Sequence, residues 1–143
     1  MRLFGARLVR VEPGLVEIHL PFRQELTQQH GFLHAAAVTA IVDNACGFAA
    51  QSLMPAGAQV LTVEYKVNFL APARGASFLA RGRVVRQGRT ITVCAGEVLA
   101  QGEGGPVPVA TMLATMFQVP AETAGGAGEA SGEGADRPDG KPV

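Results

Sequence analysis

Residues 28–54 read QQHGFLHAAAVTAIVDNACGFAAQSLM and contain the strongest structural signal of the chain. From about Ala35 onward the stretch is rich in alanine and has no proline before Pro55, which predicts one helix of roughly five turns. This helix is apolar on nearly every side. We therefore expect it to be buried over most of its surface.

Asp43 is the single ionisable residue inside the predicted helix. A carboxylate among apolar side chains costs several kcal/mol unless it is paired, hydrogen-bonded or placed in a wet cleft. The segment before the helix adds polar side chains to the unpaired backbone N–H groups of a helix N-terminus. Those side chains are Gln28, Gln29, His30 and His34. Together these groups suit a small acyl-transfer site, and the alternative is a structural carboxylate that bonds a neighbouring loop.

His34 and Asp43 are nine residues apart. Nine steps of about 100° make about 900°, so the two side chains point about half a turn away from each other on one helix. They cannot pair within one chain through helix geometry, and if they cooperate they do so across two chains. His34 is a candidate base, and it is equally suited to cap the helix or to tether a loop.

Alternating patterns on both sides of the helix predict β-strands. Residues 6–22 read as a hairpin with a turn at Glu12-Pro13-Gly14 and with His19 on a solvated face. Four more strands are expected at 59–70, 77–86, 90–100 and 107–119. In the first of these four, Leu61, Val63, Tyr65, Val67 and Phe69 are predicted to share one face and Thr62, Glu64, Lys66 and Asn68 the other; in the last, Val107, Val109, Leu113, Phe117 and Val119 share a face.

One hairpin, one long helix and four consecutive strands predict an α+β fold in which the helix packs on one face of an antiparallel sheet. A chain of 143 residues with 48% hydrophobic composition can form one domain with a substantial core. One helix does not cover such a sheet, so we expect a dimer. The domain is assigned to residues 1–119. Residues 120–143 lack apolar periodicity and are rich in Gly, Ala, Glu and Pro, which predicts a disordered tail.

Charge and composition argue against several classes of protein. The net charge is zero and the basic residues lie within strand patterns, so no nucleic-acid partner is expected. The helix contains Asp43, Asn44 and Gln51, which are unsuited to a membrane span, and the first residues lack the apolar run of a signal peptide. Cys46 and Cys94 lie in apolar settings without ligand-like spacing, so we expect buried free thiols, no metal site and a cytoplasmic protein.

Four pieces of the chain carry a family resemblance. They are QQHGFLH at 28–34, VDNACG at 42–47, VEYKVNFLAPA at 63–73 and VVRQGRT at 84–90. In this order and spacing they resemble the hot-dog-fold acyl-CoA thioesterases, specifically the phenylacetate-pathway (PaaI-like) family. The resemblance extends from about residue 5 to residue 119, which is most of the predicted domain.

The resemblance implies a long central helix wrapped by an antiparallel β-sheet, assembled as homodimers or homotetramers with active sites between protomers. It implies hydrolysis of acyl-CoA thioesters without a metal or redox cofactor, CoA being part of the substrate. Asp43 matches the helix carboxylate that acts as general base or nucleophile. Gln28 matches the side chain that contacts the substrate carbonyl or orients water, and the backbone N–H of Ala35 matches the oxyanion hole. Thr62 matches a strand hydroxyl near the carboxylate. Gly47 occupies a position where other members carry a hydroxyl on the helix.

The helix start departs from the family pattern. Members commonly have His-Gly-Gly there, whereas this chain has His34-Ala35-Ala36. A methyl group at residue 35 leaves its N–H available if the dihedral angles are helical, but it narrows the approach of a thioester carbonyl.

Substrate contacts are expected at two further places. Arg86 and Arg89 flank a turn at Gly88 and can offer forked donors to the phosphates of CoA, although arginines there are also ordinary strand charges. Phe32 is expected to line the acyl pocket.

Two other functions compete with thioester hydrolysis. A hot-dog hydratase or dehydratase needs a histidine and an acid that converge, and no such pair follows the helix start. A non-catalytic acyl-CoA-binding module has no need of the carboxylate, so Asp43 disfavours it. The acyl-chain preference, the choice of dimer or tetramer, and the choice between a base and a nucleophile at Asp43 are open at this point.

Overall fold

The computed structural model describes residues 1–121 of the chain. Two short 3-10 turns, Arg2–Phe4 and Gln24–Leu26, accompany one helix and six strands in this part of the chain. In chain order these are β1 (Arg7–Glu12), β2 (Leu15–Pro21), α1 (Ala35–Gln51), β3 (Gln59–Phe69), β4 (Ser77–Gln87), β5 (Ile91–Gln101) and β6 (Val107–Val119). The predicted helix, hairpin and four later strands are all present. Nearly all of the predicted tail, 120–143, lies outside the described residues.

The six strands form one antiparallel sheet in the order β1-β2-β4-β5-β6-β3. This order differs from a simple meander, because β3 crosses over the sheet and pairs with β6 while β4 pairs with β2. β3 is therefore an edge strand. Within residues 1–121 its outer side has no partner strand.

The helix α1 lies directly on the inner face of the sheet, with Val38, Ile41 and Ala49 among its buried residues. Glycine makes this close approach possible, because a Cβ atom added at Gly82 would overlap the backbone of Ala45. The arrangement is the α+β hot-dog fold, a long central helix wrapped by an antiparallel β-sheet. The fold prediction is confirmed. No helix within residues 1–121 is long and apolar enough to cross a membrane.

The common face predicted for β6 is interrupted by a register shift against β5 at Val109, where Val98 pairs with Ala110 and Leu99 with Pro108. The residues buried beneath α1 are Ala110, Met112, Ala114 and Met116, whereas Leu113, which was expected to share a face with buried Val109, is 55% exposed. β6 is apolar on both faces, so the bulkiest residues do not identify the inner one. Small or flexible side chains fit under a helix that lies this close to the sheet.

A β-bulge between Thr62 and Glu64 corrects the face assignment in β3. Thr62 pairs with Met116 and Tyr65 with Ala114, and both partners are fully buried on the inner face. Thr62 and Tyr65 therefore share the face next to α1, and the prediction that they lie on opposite faces is wrong. Strict alternation assumes an unbroken strand, and one extra residue reverses it.

His19 lies on the outer face of β2, between Arg7 of β1 and Leu79 of β4. Its side chain is only half exposed, and its Nδ1 atom is buried without a hydrogen-bond partner among residues 1–121. Burial, and to a smaller extent the charge of Arg7, lowers the pKa of this imidazole. The predicted face is confirmed, but the ring is only partly solvated because the two neighbouring strands shield it.

Candidate active site

Asp43 is half-buried on the side of α1 that faces β3. Its Oδ1 atom accepts a hydrogen bond of 2.9 Å from the hydroxyl of Thr62. The bulge in β3 brings Thr62 to this face. Since Oδ2 has no hydrogen-bond partner among residues 1–121, one carboxylate oxygen is held while the other is available to react.

The carboxylate opens into a cavity of about 430 Å³ between α1 and the start of β3. Gly47 lies one helical turn after Asp43 and lines the same cavity. A Cβ atom added at Gly47 would be 3.8 Å from Val60, an ordinary contact, so packing does not require glycine here. The missing side chain widens the space beside the carboxylate.

The first turn of α1 leaves one backbone donor unused. The Nδ1 atom of His34, the N-cap residue, accepts from the N–H of Ala36 at 2.9 Å, and the backbone oxygen of His34 accepts from Ala37 and Val38. The N–H of Ala35 has no acceptor among residues 1–121. Ala35 is the first helical residue, so this donor points out of the helix N-terminus, where it can stabilise an oxyanion.

The capping bond also selects the tautomer of the neutral His34 ring. Because Nδ1 accepts a hydrogen bond from the backbone, the neutral ring carries its proton on Nε2. In this arrangement His34 is a cap and a donor, and its Nδ1 lone pair is not available to take a proton from water.

Gln28 lies in a tight loop before the helix. Its Oε1 atom accepts from the backbone N–H of His30, and its backbone N–H donates to Phe32 at 2.9 Å. The Nε2 atom of Gln28 is therefore the part of the amide left to face a ligand. Gln28, Phe32 and Ala35 line a cavity of about 290 Å³ at the helix N-terminus.

Within one chain the two halves of the predicted site do not meet. Ala35 and Asp43 are eight residues apart on α1, which corresponds to about 12 Å along the axis. They lie at opposite ends of one open groove of about 480 Å³. Tyr65 and Phe69 of β3 form the other side of that groove. The cavity with Gln28, His34 and Phe32 adjoins the donor end of the groove, and the cavity with Thr62 and Gly47 adjoins the carboxylate end.

Arg86, Gly88 and Arg89 lie at the exposed tip of the β4–β5 hairpin. The turn closes with a 2.8 Å bond from the N–H of Gly88 to Ile91. Neither arginine has an ion-pair partner among residues 1–121. Arg81 differs, because Glu17 at 2.7 Å and Glu97 at 2.9 Å occupy its guanidinium.

Other groups with reactive potential are few in the described part of the chain. No three His, Cys, Asp or Glu side chains within residues 1–121 lie close enough together to hold a metal ion. Cys46 and Cys94 are free and buried, as predicted. Burial, with smaller contributions from Cys94 and Asp43, raises the pKa of Cys46 to about 12, and burial raises that of Cys94 to about 11. Both thiols are therefore protonated and unreactive near neutral pH.

Sequence reasoning missed three residues near the site. Tyr65 and Phe69 line the groove beside Asp43, but a regular strand pattern assigned them to a packed face. Arg74 stacks on Phe32 with its Cζ atom 4.4 Å from the ring centre. The sequence did not indicate a role for Arg74, because a single arginine in a loop is usually a solvated charge.

Comparisons with known proteins agree with this fold. The model of the thioesterase superfamily matches residues 30–107. The crystal structure of a thioesterase family protein from Silicibacter pomeroyi has a TM-score of 0.82 and 50% sequence identity, covering 83% of this chain and 88% of that one. The E. coli PaaI protein from the phenylacetic acid degradation operon shares the fold, with a TM-score of 0.74 and 17% identity over 83% of each chain.

A curated protein of Saccharolobus solfataricus is also similar, and its name describes it provisionally as an esterase. It is 32% identical over 92 residues, which are 64% of this chain and 65% of that protein. The match thus spans slightly less than two thirds of the relative.

Proposed function

The chain belongs to the thioesterase superfamily, and we propose that it hydrolyses acyl-CoA thioesters at a site that two copies of the chain complete together. The observation that carries the proposal is a pair of groups in one groove. At one end the N–H of Ala35 has no acceptor among residues 1–121, and at the other end the carboxylate of Asp43 has one oxygen without a hydrogen bond among those residues. Hydrolysis of a thioester needs both groups at one carbonyl, and about 12 Å separates them within one chain.

A two-fold axis between two chains would bring the N–H of Ala35 in one chain close to Asp43 in the other. If two α1 helices pack antiparallel and cross near Thr39, the position midway between Ala35 and Asp43, the donor of each chain lies opposite the carboxylate of the other. The exposed side of α1 suits this contact, because Ala36 and Ala40 are small and allow two backbones to approach closely. The unpaired edge of β3 flanks the same groove and exposes apolar side chains.

At the combined site, the N–H of Ala35 and the Nε2 group of Gln28 would stabilise the negative charge that develops on the thioester oxygen. Asp43 has two routes. As a general base it takes a proton from water while the water oxygen bonds to the acyl carbon, the C–S bond breaks and the CoA thiolate takes up a proton. As a nucleophile its free oxygen bonds to the acyl carbon, CoA leaves as the thiolate, and water then hydrolyses the anhydride.

CoA is the proposed carrier of the acyl group. Arg86 and Arg89 would bind its phosphates at the exposed hairpin tip around Gly88, where neither guanidinium is engaged by a carboxylate among residues 1–121. A protein of the same fold from Bacillus halodurans, at 23% identity and a TM-score of 0.66, was crystallised with CoA. That precedent supports CoA as the ligand, and the cytoplasm is the proposed location because it supplies acyl-CoA.

The test uses two defective variants in one mixture. Asp43→Asn removes the carboxylate, and Ala35→Pro removes the N–H. Proline is tolerated at the first position of a helix, and His34 already has the φ of −64° and ψ of 140° that a residue before proline prefers. Each variant alone should lose thiol release about 100-fold or more. Ala35→Gly, which keeps the N–H, is the control and should stay active.

Refolding the two variants together in equal amounts makes half of the dimers mixed. Each mixed dimer has one intact site if the two groups come from different chains, so thiol release should return to about one quarter of the wild-type rate. No recovery in mixed dimers would contradict the shared site. Tight CoA binding without thiol release by the wild type would favour the non-catalytic binding module instead.

A further inference from the structure

Arg74 and Phe32 come from two loops that meet at the N-terminus of α1. The loops are joined by a 3.1 Å hydrogen bond from the N–H of Leu33 to the backbone oxygen of Ala73. Directly beside this bond, the guanidinium of Arg74 lies over the ring of Phe32 at 4.4 Å from its centre. A planar cation over an aromatic face restricts both groups, and its contribution depends on that stacking.

The ring of Phe32 is a wall of the cavity of about 290 Å³ that also contains the free N–H of Ala35 and the side chain of Gln28. Leu33 and Val38 contribute buried apolar surface to this cavity, and Phe69 and Pro72 also line it. An apolar cavity of about 150 Å³ is enough to bind benzene. The space beside the oxyanion donor therefore fits a compact acyl group such as one aryl ring or a short branched chain.

Hydrogen bonds fix the backbone around Phe32, from the N–H of Gln28 to the backbone oxygen of Phe32 and from the N–H of Leu33 to that of Ala73, so the part of Phe32 that is left to move is its ring. Gly31 precedes the ring with a φ of +78°, and a Cβ atom added there would meet nothing within 4 Å. Arg74 has no ion-pair partner among residues 1–121, so no carboxylate there draws its guanidinium away from the ring. The stack is thus a contact that restricts rotation of the ring.

We propose that Arg74 is a positioning residue that holds Phe32 as the end wall of the acyl pocket and so limits the size of the acyl group. This inference rests on the proposed thioesterase function and deepens it. Loss of the guanidinium frees the ring, lengthens the pocket and shifts the preference towards longer acyl chains. The activity towards compact acyl groups then falls, because they are held less firmly beside Ala35.

The chain has no tryptophan, so Phe32→Trp places a unique fluorophore at the wall. Tryptophan keeps the stack, because it is the strongest ring for this interaction. We expect its emission to change when Arg74→Gln is added and to be largely restored by Arg74→Lys. Titration with phenylacetic acid and dodecanoic acid then measures pocket size without catalysis, and Arg74→Gln should shift the ratio of their affinities about three-fold towards the longer acid.

Thiol release by chains with native Phe32 gives the second measurement. Arg74→Gln should raise kcat/KM for dodecanoyl-CoA relative to phenylacetyl-CoA by a similar factor, while Arg83→Gln, an exposed arginine on the outer face of β4, should leave the ratio unchanged. An equal rise in KM for every acyl-CoA, together with weaker binding of CoA alone, would overturn the inference and make Arg74 a phosphate contact. An unchanged emission and an unchanged ratio would also overturn it. Acid binding that depends on Arg74 without any thiol release would leave the pocket inference standing and reject the proposed function.

Discussion

The hydroxyl of Thr62 on β3 donates a hydrogen bond to Asp43 on α1. Removing this bond tests whether the activity of the carboxylate depends on its orientation. Thr62→Val keeps the branched shape and removes the donor. A hydrogen bond to a charged group contributes about 1.5–3 kcal/mol, so we expect kcat for thiol release to fall about ten-fold with little change in KM. Thr62→Ser should keep most of the activity. Equal kcat in the valine variant and the wild type would exclude this role for Thr62.

Single residues differed in how clearly the sequence marked them. Asp43 could be identified from the sequence because a charged side chain in an apolar helix requires a hydrogen-bonding or solvated environment. In the structure it lies beside an open cavity. The free N–H of Ala35 was expected from the family resemblance, but which first-turn donors remain free depends on how His34 caps the helix. Arg74 left no mark in the sequence, since its contact with Phe32 joins residues 42 positions apart.

Glycines under the helix give a prediction about the packing of α1 on the sheet. A methyl group at Gly82 would overlap the backbone of Ala45, whereas one at Gly102 would meet nothing within 4 Å. We expect Gly82→Ala to lower the free energy of unfolding by about 3 kcal/mol, because the helix must move away from the sheet. Gly102→Ala is the matched control and should change it by less than about 0.5 kcal/mol. Urea denaturation followed by circular dichroism measures both, and similar values for the two would contradict this packing.

Secondary-structure elements were predictable to different degrees. The helix was located well because His34 caps it and Pro55 follows it. The bounds of β6 were also exact. Strand order was not accessible, because alternation shows that a segment is a strand but not which neighbour it pairs with. The bulge in β3 was hidden for a related reason, since one extra residue changes the face of Thr62 without changing the local pattern.

The assembly of two chains can be tested at the edge of the sheet. Val63 lies on the edge strand β3 and is 58% exposed, and Val11 lies on β1 at the opposite edge and is 60% exposed. Lysine at an edge opposes pairing with another chain. We expect Val63→Lys to shift the protein towards monomers and to reduce thiol release more than ten-fold, while Val11→Lys leaves both unchanged. Light scattering and the thiol assay measure these outcomes, and an active monomer would contradict the shared site.

The separation of Ala35 and Asp43 along α1 has a genetic consequence. Under the proposed arrangement each subunit lends its carboxylate to one site and its amide to the other. A cell that carries one intact allele and one allele without Asp43 would keep about half of its sites, because every intact carboxylate still finds an amide. If one allele loses both groups, mixed dimers have no working site and about one quarter of the activity remains. Two lesions on one allele are therefore more harmful than either alone, and a variant of this kind would behave as dominant.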